Sequence, residues 1–479
     1  MVGHSGKPGP APSAGRGGGC RRPSRLVCLF RAGLWLLIAA LVFRTWYVQG
    51  LIVGMPVASG SMAPTLLGPH RWSQCDHCGI GFACATDGGL RRDEVTCPNC
   101  GLRTAIGKDN HDGRGDCVLI SRSIFRIRPP RRWELIAFRH PERPSLLAIK
   151  RVVGLPGETV LLRYGQLFIN GQVARKDLAR QLALSVTVYD AAHRPPSGAG
   201  TPRWQPQGEA TGWGSFQGRF VCPPRAAPAP IDWLVYHHVL RFSGGLGVRE
   251  AKITSRLAYN QWLGVWQTGS SVVTDVGMSF RLARLWGDGQ LWLRAADGAR
   301  RFRVAIEPRH GVFRIYRGDR ALGGDRPLGA WSGQPRVVFS LVDCQLLLAV
   351  DGRTLVSLPF SSARQAAPGT PRPLAIGCRG LGVEIRDLRV FRDIAYGPPA
   401  EKRAYWAVDK PVRLGQDEYF VLGDNSAISD DSRSWPTSPG VPRRLVVGKP
   451  FLVLWPGRRV RLGRTGIQVP HAGWIRYIR

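Results

Sequence analysis

A serine hydroxyl becomes a nucleophile only beside a group that takes its proton. In this 479-residue chain, Met55 to Leu67 (MPVASGSMAPTLL) is a small-residue turn that can present such a hydroxyl, from Ser59 or Ser61. A simple loop is the plainer reading of the same residues. No histidine stands in a triad-like context, and the adjacent His237 and His238 lie in a zone of different composition. The other candidate base is Lys150, within Leu146 to Glu158 (LLAIKRVVGLPGE). This apolar, β-branched run closed by Gly-Leu-Pro-Gly reads as a strand and a turn. A lysine there is either an edge side chain reaching for water or a desolvated amine. Desolvation lowers a lysine's pKa, so the amine can be neutral near pH 7 and accept a serine proton. Arg151 beside it cannot serve, and strand neighbours face opposite sides.

A third segment, Tyr419 to Arg433 (YFVLGDNSAISDDSR), runs from a strand into a loop dense in Ser, Asp and Asn. Such a loop suits a metal site, an Asx-rich turn or a polar network holding catalytic groups. Asp431 and Arg433 suit a structural ion pair. Elsewhere, Cys75-Asp-His-Cys78 and Cys97-Pro-Asn-Cys100 form two knuckles with an 18-residue Gly-rich spacer, the pattern of a zinc ribbon. Four thiolates close a tetrahedral site, so this zinc would be structural. Disulfides and paired redox motifs are the alternatives, and an odd total of eleven Cys prevents complete intramolecular pairing.

These residues need elements to position them. The length allows two or three domains, and 44% hydrophobic content excludes a wholly disordered chain. The net charge is +34, yet only eight of 67 basic residues are Lys. Residues 1–25, rich in Gly, Pro, Ser and Arg, read as a disordered basic tail. Residues 26–50 read as a transmembrane anchor, its best continuous span running roughly from Ala32 to Val48. A cleaved signal peptide and a buried core helix are the alternatives. Arg16, Arg21, Arg22, Arg25 and Arg31 precede that run, which puts the N-terminus in the cytoplasm and the rest outside. Residues 191–230, Pro-, Gly- and Trp-rich, read as a linker. Residues 231–396 read as all-β, with examples at Phe302 to Ile306, Val312 to Tyr316 and Leu346 to Val350, and turns at Asp288-Gly289, Asp297-Gly298 and Asp351-Gly352. The segment Leu348 to Leu355 and the late run Gly382 to Phe391 resemble a laminin-G or concanavalin-like jelly-roll sandwich. Such folds often bind glycans or proteins; passive decoration weighs equally. Trp286, Trp292 and Trp331 are candidate stacking platforms, though tryptophan at strand spacing usually packs in a core.

The Ser, Lys and Ser/Asp segments, with Gly115 to Ile120 (GDCVLI) between the first two, resemble bacterial type I signal peptidase in order and in their place after an anchor. That family is a Ser/Lys membrane endopeptidase that removes signal peptides from exported proteins. The resemblance covers roughly residues 26–67, 115–185 and 400–462. It implies a mainly β catalytic domain built from 51–70, 115–190 and 397–479, interrupted by the ribbon-like insert at 71–114 and the sandwich at 231–396. It implies Ser61 as nucleophile and Lys150 as general base. Ser59 would join the Ser61 N–H in an oxyanion hole, and Ser429 would hydrogen-bond the Lys150 amine. Asp431, Arg433, Asp424 and Asn425 would support the loop. Val57, Met62, Leu66, Val118 and Ile149 match shallow apolar pockets that prefer Ala at two positions before the cut. Ala58 departs from the family, which usually has Pro there. The implied partners are exported preproteins and membrane lipid, with a glycan or protein ligand of the sandwich left open. No cofactor is expected for catalysis, only the structural zinc. The implied location is a bacterial cytoplasmic membrane, single-pass, with the catalytic domain outside. Against this stand a Ser/Lys self-cleaving repressor, a tethered binding module on a protease-like scaffold, and a zinc-ribbon nucleic-acid binder. The anchor argues against the first and last, and no nucleic-acid partner is expected.

Overall fold

Leu147–Gly154 is the strand on which the site turns, and the whole of its second half is buried. Its residues are apolar or β-branched except Lys150 and Arg151, so it is stable only with protein on both faces. It pairs antiparallel with Leu135–Arg139 on one side and Glu418–Leu422 on the other. The sheet runs in the order Ile52–Pro56, Cys117–Ser121, Val446–Val453, Leu135–Arg139, Leu147–Gly154, Glu418–Leu422, Val441–Pro442, with Arg476–Tyr477 also pairing on Val446–Val453. Three distant stretches of chain thus meet in one eight-stranded sheet. A smaller sheet orders Gln172–Val173, Gln166–Ile169, Thr159–Arg163 and Val412–Arg413.

The computed structural model describes residues 25–48, 50–86, 94–106, 115–196, 200–208, 211–216, 218–225, 230–241, 247–261, 271–329, 331, 333–362, 366–399, 402–408, 410–454, 458–462, 465–469 and 475–478. The basic tail expected before residue 25, with Arg16, Arg21 and Arg22, lies outside them. The chain divides into two units, residues 1–52 and 53–479. In the first, an α-helix spans Arg25–Phe43 and continues as a π-helical turn over Arg44–Val48. Leu26–Trp46 is long and apolar enough to cross a membrane, and none of it is buried. The helix carries Arg31 within it, so the apolar element begins earlier than the span from Ala32 suggests.

The fold is mainly β. In the second unit, a fourteen-stranded sheet is organised by two long strands, Val276–Ala296 and Leu374–Arg392, paired with three register shifts. Its apolar side chains gather in one buried core that includes Phe280, Leu293, Phe302, Phe339, Leu348 and Ile376. Two expectations change here. Asp288-Gly289 is a bulge within the 21-residue strand, not a hairpin turn, because the chain on both sides of it pairs with the same neighbour. Residues 191–230 are not simply a linker: Trp204–Pro206, Gly214–Phe216 and Arg219–Cys222 join this sheet. Trp204, Trp213, Phe220 and Cys222 are buried in its core, burial that offsets the weak strand propensity of the Pro and Gly around them. Val186–Asp190, grouped by sequence with the catalytic segments, also pairs with Leu374–Arg392.

Candidate active site

The serine turn forms a single 3₁₀ turn at Gly60–Met62, directly after the edge strand Ile52–Pro56. Lys150 comes to it from the buried centre of Leu147–Gly154. The Lys150 Nζ donates to Ser61 Oγ at 2.7 Å, and Ser59 Oγ donates to the same oxygen at 3.3 Å. Lys150 is only 4% exposed. Burial lowers its pKa to about 8; the Asp431 and Asp430 carboxylates pull it back up, Arg433 pushes it down, and Asp424 opposes that. The amine is therefore close to losing its proton at neutral pH, as a base for serine must be.

Alternation along the strand sends Arg151 to the other face, where it is fully buried. There Arg151 Nε donates to Asp424 Oδ1 at 2.8 Å and Nη2 to Asp424 Oδ2 at 2.6 Å, a fork on a carboxylate. Thr65 Oγ1 donates to the same carboxylate, tying it to the serine segment. A second buried fork runs from Arg433 to Asp431, at 2.9 Å from Nε and 2.8 Å from Nη2. Asp431 also accepts from the Gly423 N–H at 2.9 Å, and Arg433 donates to Ser426 Oγ at 2.7 Å. Removing one partner of such a pair strands a buried charge at a cost of about 3–5 kcal/mol. The first fork holds the loop after Glu418–Leu422 against the strand that carries Lys150, and the second braces that loop internally.

Asn425 reaches the serine turn itself. Its N–H donates to Ser61 O at 3.1 Å and its Nδ2 to Gly60 O at 3.0 Å. Gly423 lies equally close: a Cβ there would sit 2.1 Å from Ser429 Oγ and 2.5 Å from Ser61 O. Ser429 is fully buried, and its Oγ makes no hydrogen bond; the bond to the Lys150 amine that the resemblance implies is not formed. The hydroxyl packs against Gly423 instead.

Val57, Met62, Leu66, Val118 and Ile149 fall in one apolar cluster with Ile120, Leu135 and Ala137. All five are buried, between 0% and 9% exposed. The four knuckle cysteines also converge. Their sulfurs lie within 4.8 Å of one another, with Cys75–Cys100 at 3.7 Å and Cys78–Cys97 at 3.6 Å. Ligands about 2.3 Å from a tetrahedral zinc stand about 3.8 Å apart, whereas a disulfide needs about 2.05 Å. All four are unbridged and buried, so the donor set fits a closed tetrahedral ion. Of the tryptophans, Trp292 is buried against Tyr316 and Arg303, Trp286 lies half-buried under Arg284, and Trp331 packs on the sandwich core.

Arg151 carries as much of the site's architecture as Asp424, yet sequence reasoning assigned it no partner. The available signal was an arginine inside a strand too apolar to be an edge. Tyr259, which packs on Gly60 of the serine turn, and Asn260, which pairs with Asn425, carry no motif at all.

Residues 107–205 and 390–455 match the family described as signal peptidase, peptidase S26. These stretches hold Lys150, Asp424, Ser429, Asp431 and Arg433 and leave out Ser59 and Ser61. Signal peptidase I of Pseudomonas aeruginosa is 33% identical over 91 residues, covering 16% of this chain and 32% of that protein. Signal peptidase I of Leptolyngbya laminosa is 43% identical over 65 residues, covering 12% and 32%. Signal peptidase I V of Bacillus subtilis is 32% identical over 68 residues, covering 14% and 39%. The chain thus spans about a third of the length of these relatives. Among solved structures, a Bacillus licheniformis beta-glucanase is similar at a TM-score of 0.24 and 11% identity, over 41% of this chain and 95% of that one. A likeness at that score carries no weight. The chain resembles type I signal peptidases in the segments that surround Lys150.

Proposed function

We propose that this chain is a membrane-anchored serine endopeptidase that removes N-terminal signal peptides from exported preproteins. The observation that carries the reading is a buried lysine amine, its pKa near 8, 2.7 Å from a serine hydroxyl. Ser61 Oγ attacks the scissile carbonyl while Lys150 takes its proton. Lys150 then gives a proton to the departing amine, leaving an acyl ester on Ser61. A water, deprotonated by the same amine, attacks the ester and frees Ser61 and the new carboxylate. The Ser61 N–H and the Ser59 hydroxyl are the donors for the oxyanion. Ser429, buried beside Gly423 with an unpartnered hydroxyl, is available to the amine as its proton moves.

Substrate selection follows from the closed apolar wall of Val57, Met62, Leu66, Val118 and Ile149. It admits small side chains such as Ala at the two recognition positions before the cut. The Leu26–Trp46 helix is the anchor, and the arginines before it set the N-terminus in the cytoplasm and the catalytic body outside. The Cys75, Cys78, Cys97 and Cys100 cluster holds a structural zinc that takes no part in the reaction. The cysteine segment and the large sheet are inserts on a catalytic core of 51–70, 115–190 and 397–479.

The test uses the full chain in detergent and a preprotein with Ala at both recognition positions. Wild type cuts after the second Ala, and Ser61→Ala loses at least about 10³-fold in kcat/KM. Full activity in Ser61→Ala contradicts the proposal.

A further inference from the structure

The large β insert touches the serine turn directly. A 3₁₀ turn at Ala258–Asn260 ends a stretch of the insert that crosses to the loop after Glu418–Leu422. The Asn260 and Asn425 side chains pair as two amides: Asn260 Nδ2 donates to Asn425 Oδ1 and Asn425 Nδ2 to Asn260 Oδ1, both at 2.8 Å. The same Asn425 Nδ2 holds Gly60 O. Tyr259, buried, covers the other side of that residue, so closely that a Cβ on Gly60 would lie 2.2 Å from its ring. Its hydroxyl donates to Pro69 O at 3.3 Å. The next residue, Gln261, brackets Thr96 at the second cysteine knuckle, accepting from the Thr96 N–H at 2.8 Å and donating to Thr96 O at 2.6 Å. Leu257 and Tyr259 pack with Ala63 of the serine segment and Ala83 and Ala85 of the cysteine segment.

We propose that the Leu257–Gln261 turn of the insert positions the nucleophile turn, with Asn260 as its positioning residue acting through Asn425. This rests on the reading of Ser61 as nucleophile. A serine backbone that must present both a hydroxyl and an oxyanion N–H tolerates little displacement, because misplacement of about 1 Å costs on the order of 10²-fold. Without the amide pair, Asn425 has one fewer constraint on its side-chain rotation, and the grip on Gly60 loosens. Tyr259 blocks the space into which that turn would move. Gln261 fastens the turn to the knuckle, so the cysteine cluster supports the serine at one remove. The insert is then part of the catalytic apparatus and not a module hung on it.

The test compares wild type, Asn260→Ala, Asn260→Asp, Asn425→Ala, the Asn260→Ala/Asn425→Ala double variant and Ser61→Ala on the same preprotein. Each is assayed below its own melting temperature. Asn260→Ala is expected to lower kcat roughly five- to thirty-fold with KM within about two-fold, the worth of one or two buried hydrogen bonds. Asn260→Asp keeps an acceptor for Asn425 Nδ2 and should recover part of the loss. The double variant should be no worse than Asn425→Ala, because both residues act along one path. Wild-type kcat in Asn260→Ala, or a loss wholly matched by its unfolded fraction, overturns the proposal. So does additive loss in the double variant. If Ser61→Ala stays active, the nucleophile reading fails first; if Ser61→Ala is dead and Asn260→Ala is not impaired, only the positioning role fails.

Discussion

At the scale of single residues, the proposed chemistry depends on a lysine standing where an arginine could not serve. With eight Lys against 59 Arg, a lysine buried in the middle of an apolar strand is conspicuous, and the next residue shows the contrast. Arg151 keeps its charge and is answered by Asp424, while Lys150 is left facing a hydroxyl. Its pKa of about 8 places the acid limb of kcat/KM there, with activity rising as pH rises through that value. Asp431 supports the ammonium. Asp431→Asn removes that anion and leaves Arg433 unopposed, so the limb should move to lower pH. A pH–rate profile of the two proteins, below the variant's melting temperature, checks this; an upward shift would contradict it. The contacts of Ser61 with Lys150 and of Asp431 with Arg433 were legible, because each of these residues sits in a short local pattern. The Asp424 partner was not, since a fork between residues 273 apart leaves no trace in either neighbourhood.

At the scale of elements, strands with clean alternation were legible and those rescued by burial were not. The strands at Arg301–Glu307, Val312–Arg317 and Gln345–Val350 match expectation. Trp204–Pro206 and Arg219–Cys222 sit amid Pro and Gly, and only the core they fill makes them strands. The cysteine knuckles were legible from spacing, and their sulfur geometry now favours a metal over disulfides. Protein purified without added metal should carry one zinc per chain. Cys75→Ser should lose it and melt lower, because a structural site's binding energy is folding energy. Metal analysis with thiol titration checks this, and four disulfide-bonded sulfurs without zinc would contradict it.

At the scale of the whole molecule, the +34 charge needs no nucleic-acid partner; arginines line strand faces such as Arg301 and Arg317, exposed beside buried apolar neighbours. The joint between the small sheet and the large one is acidic instead. Asp275, Asp343 and Asp393 converge there on Lys176, which bonds Asp343 at 2.8 Å and Asp393 at 2.9 Å, with Gln166 donating to Asp275 at 2.9 Å. Burial raises Asp275 to about 7 and Asp393 to about 6, from 3.8. The folded joint therefore keeps protons that the unfolded chain has released. Its contribution is present below about pH 4 and lost as pH rises to about 7. Asp275→Asn should flatten the fall in melting temperature across that window, and an unchanged slope would contradict the assignment. How the insert meets the serine turn was not legible, because that contact depends on side chains 165 residues apart. The most direct test of the whole account is cleavage of a preprotein by Lys150→Arg. Arginine keeps the charge but cannot act as a base, so the account predicts folded protein with no cleavage. Cleavage at the wild-type rate would contradict it.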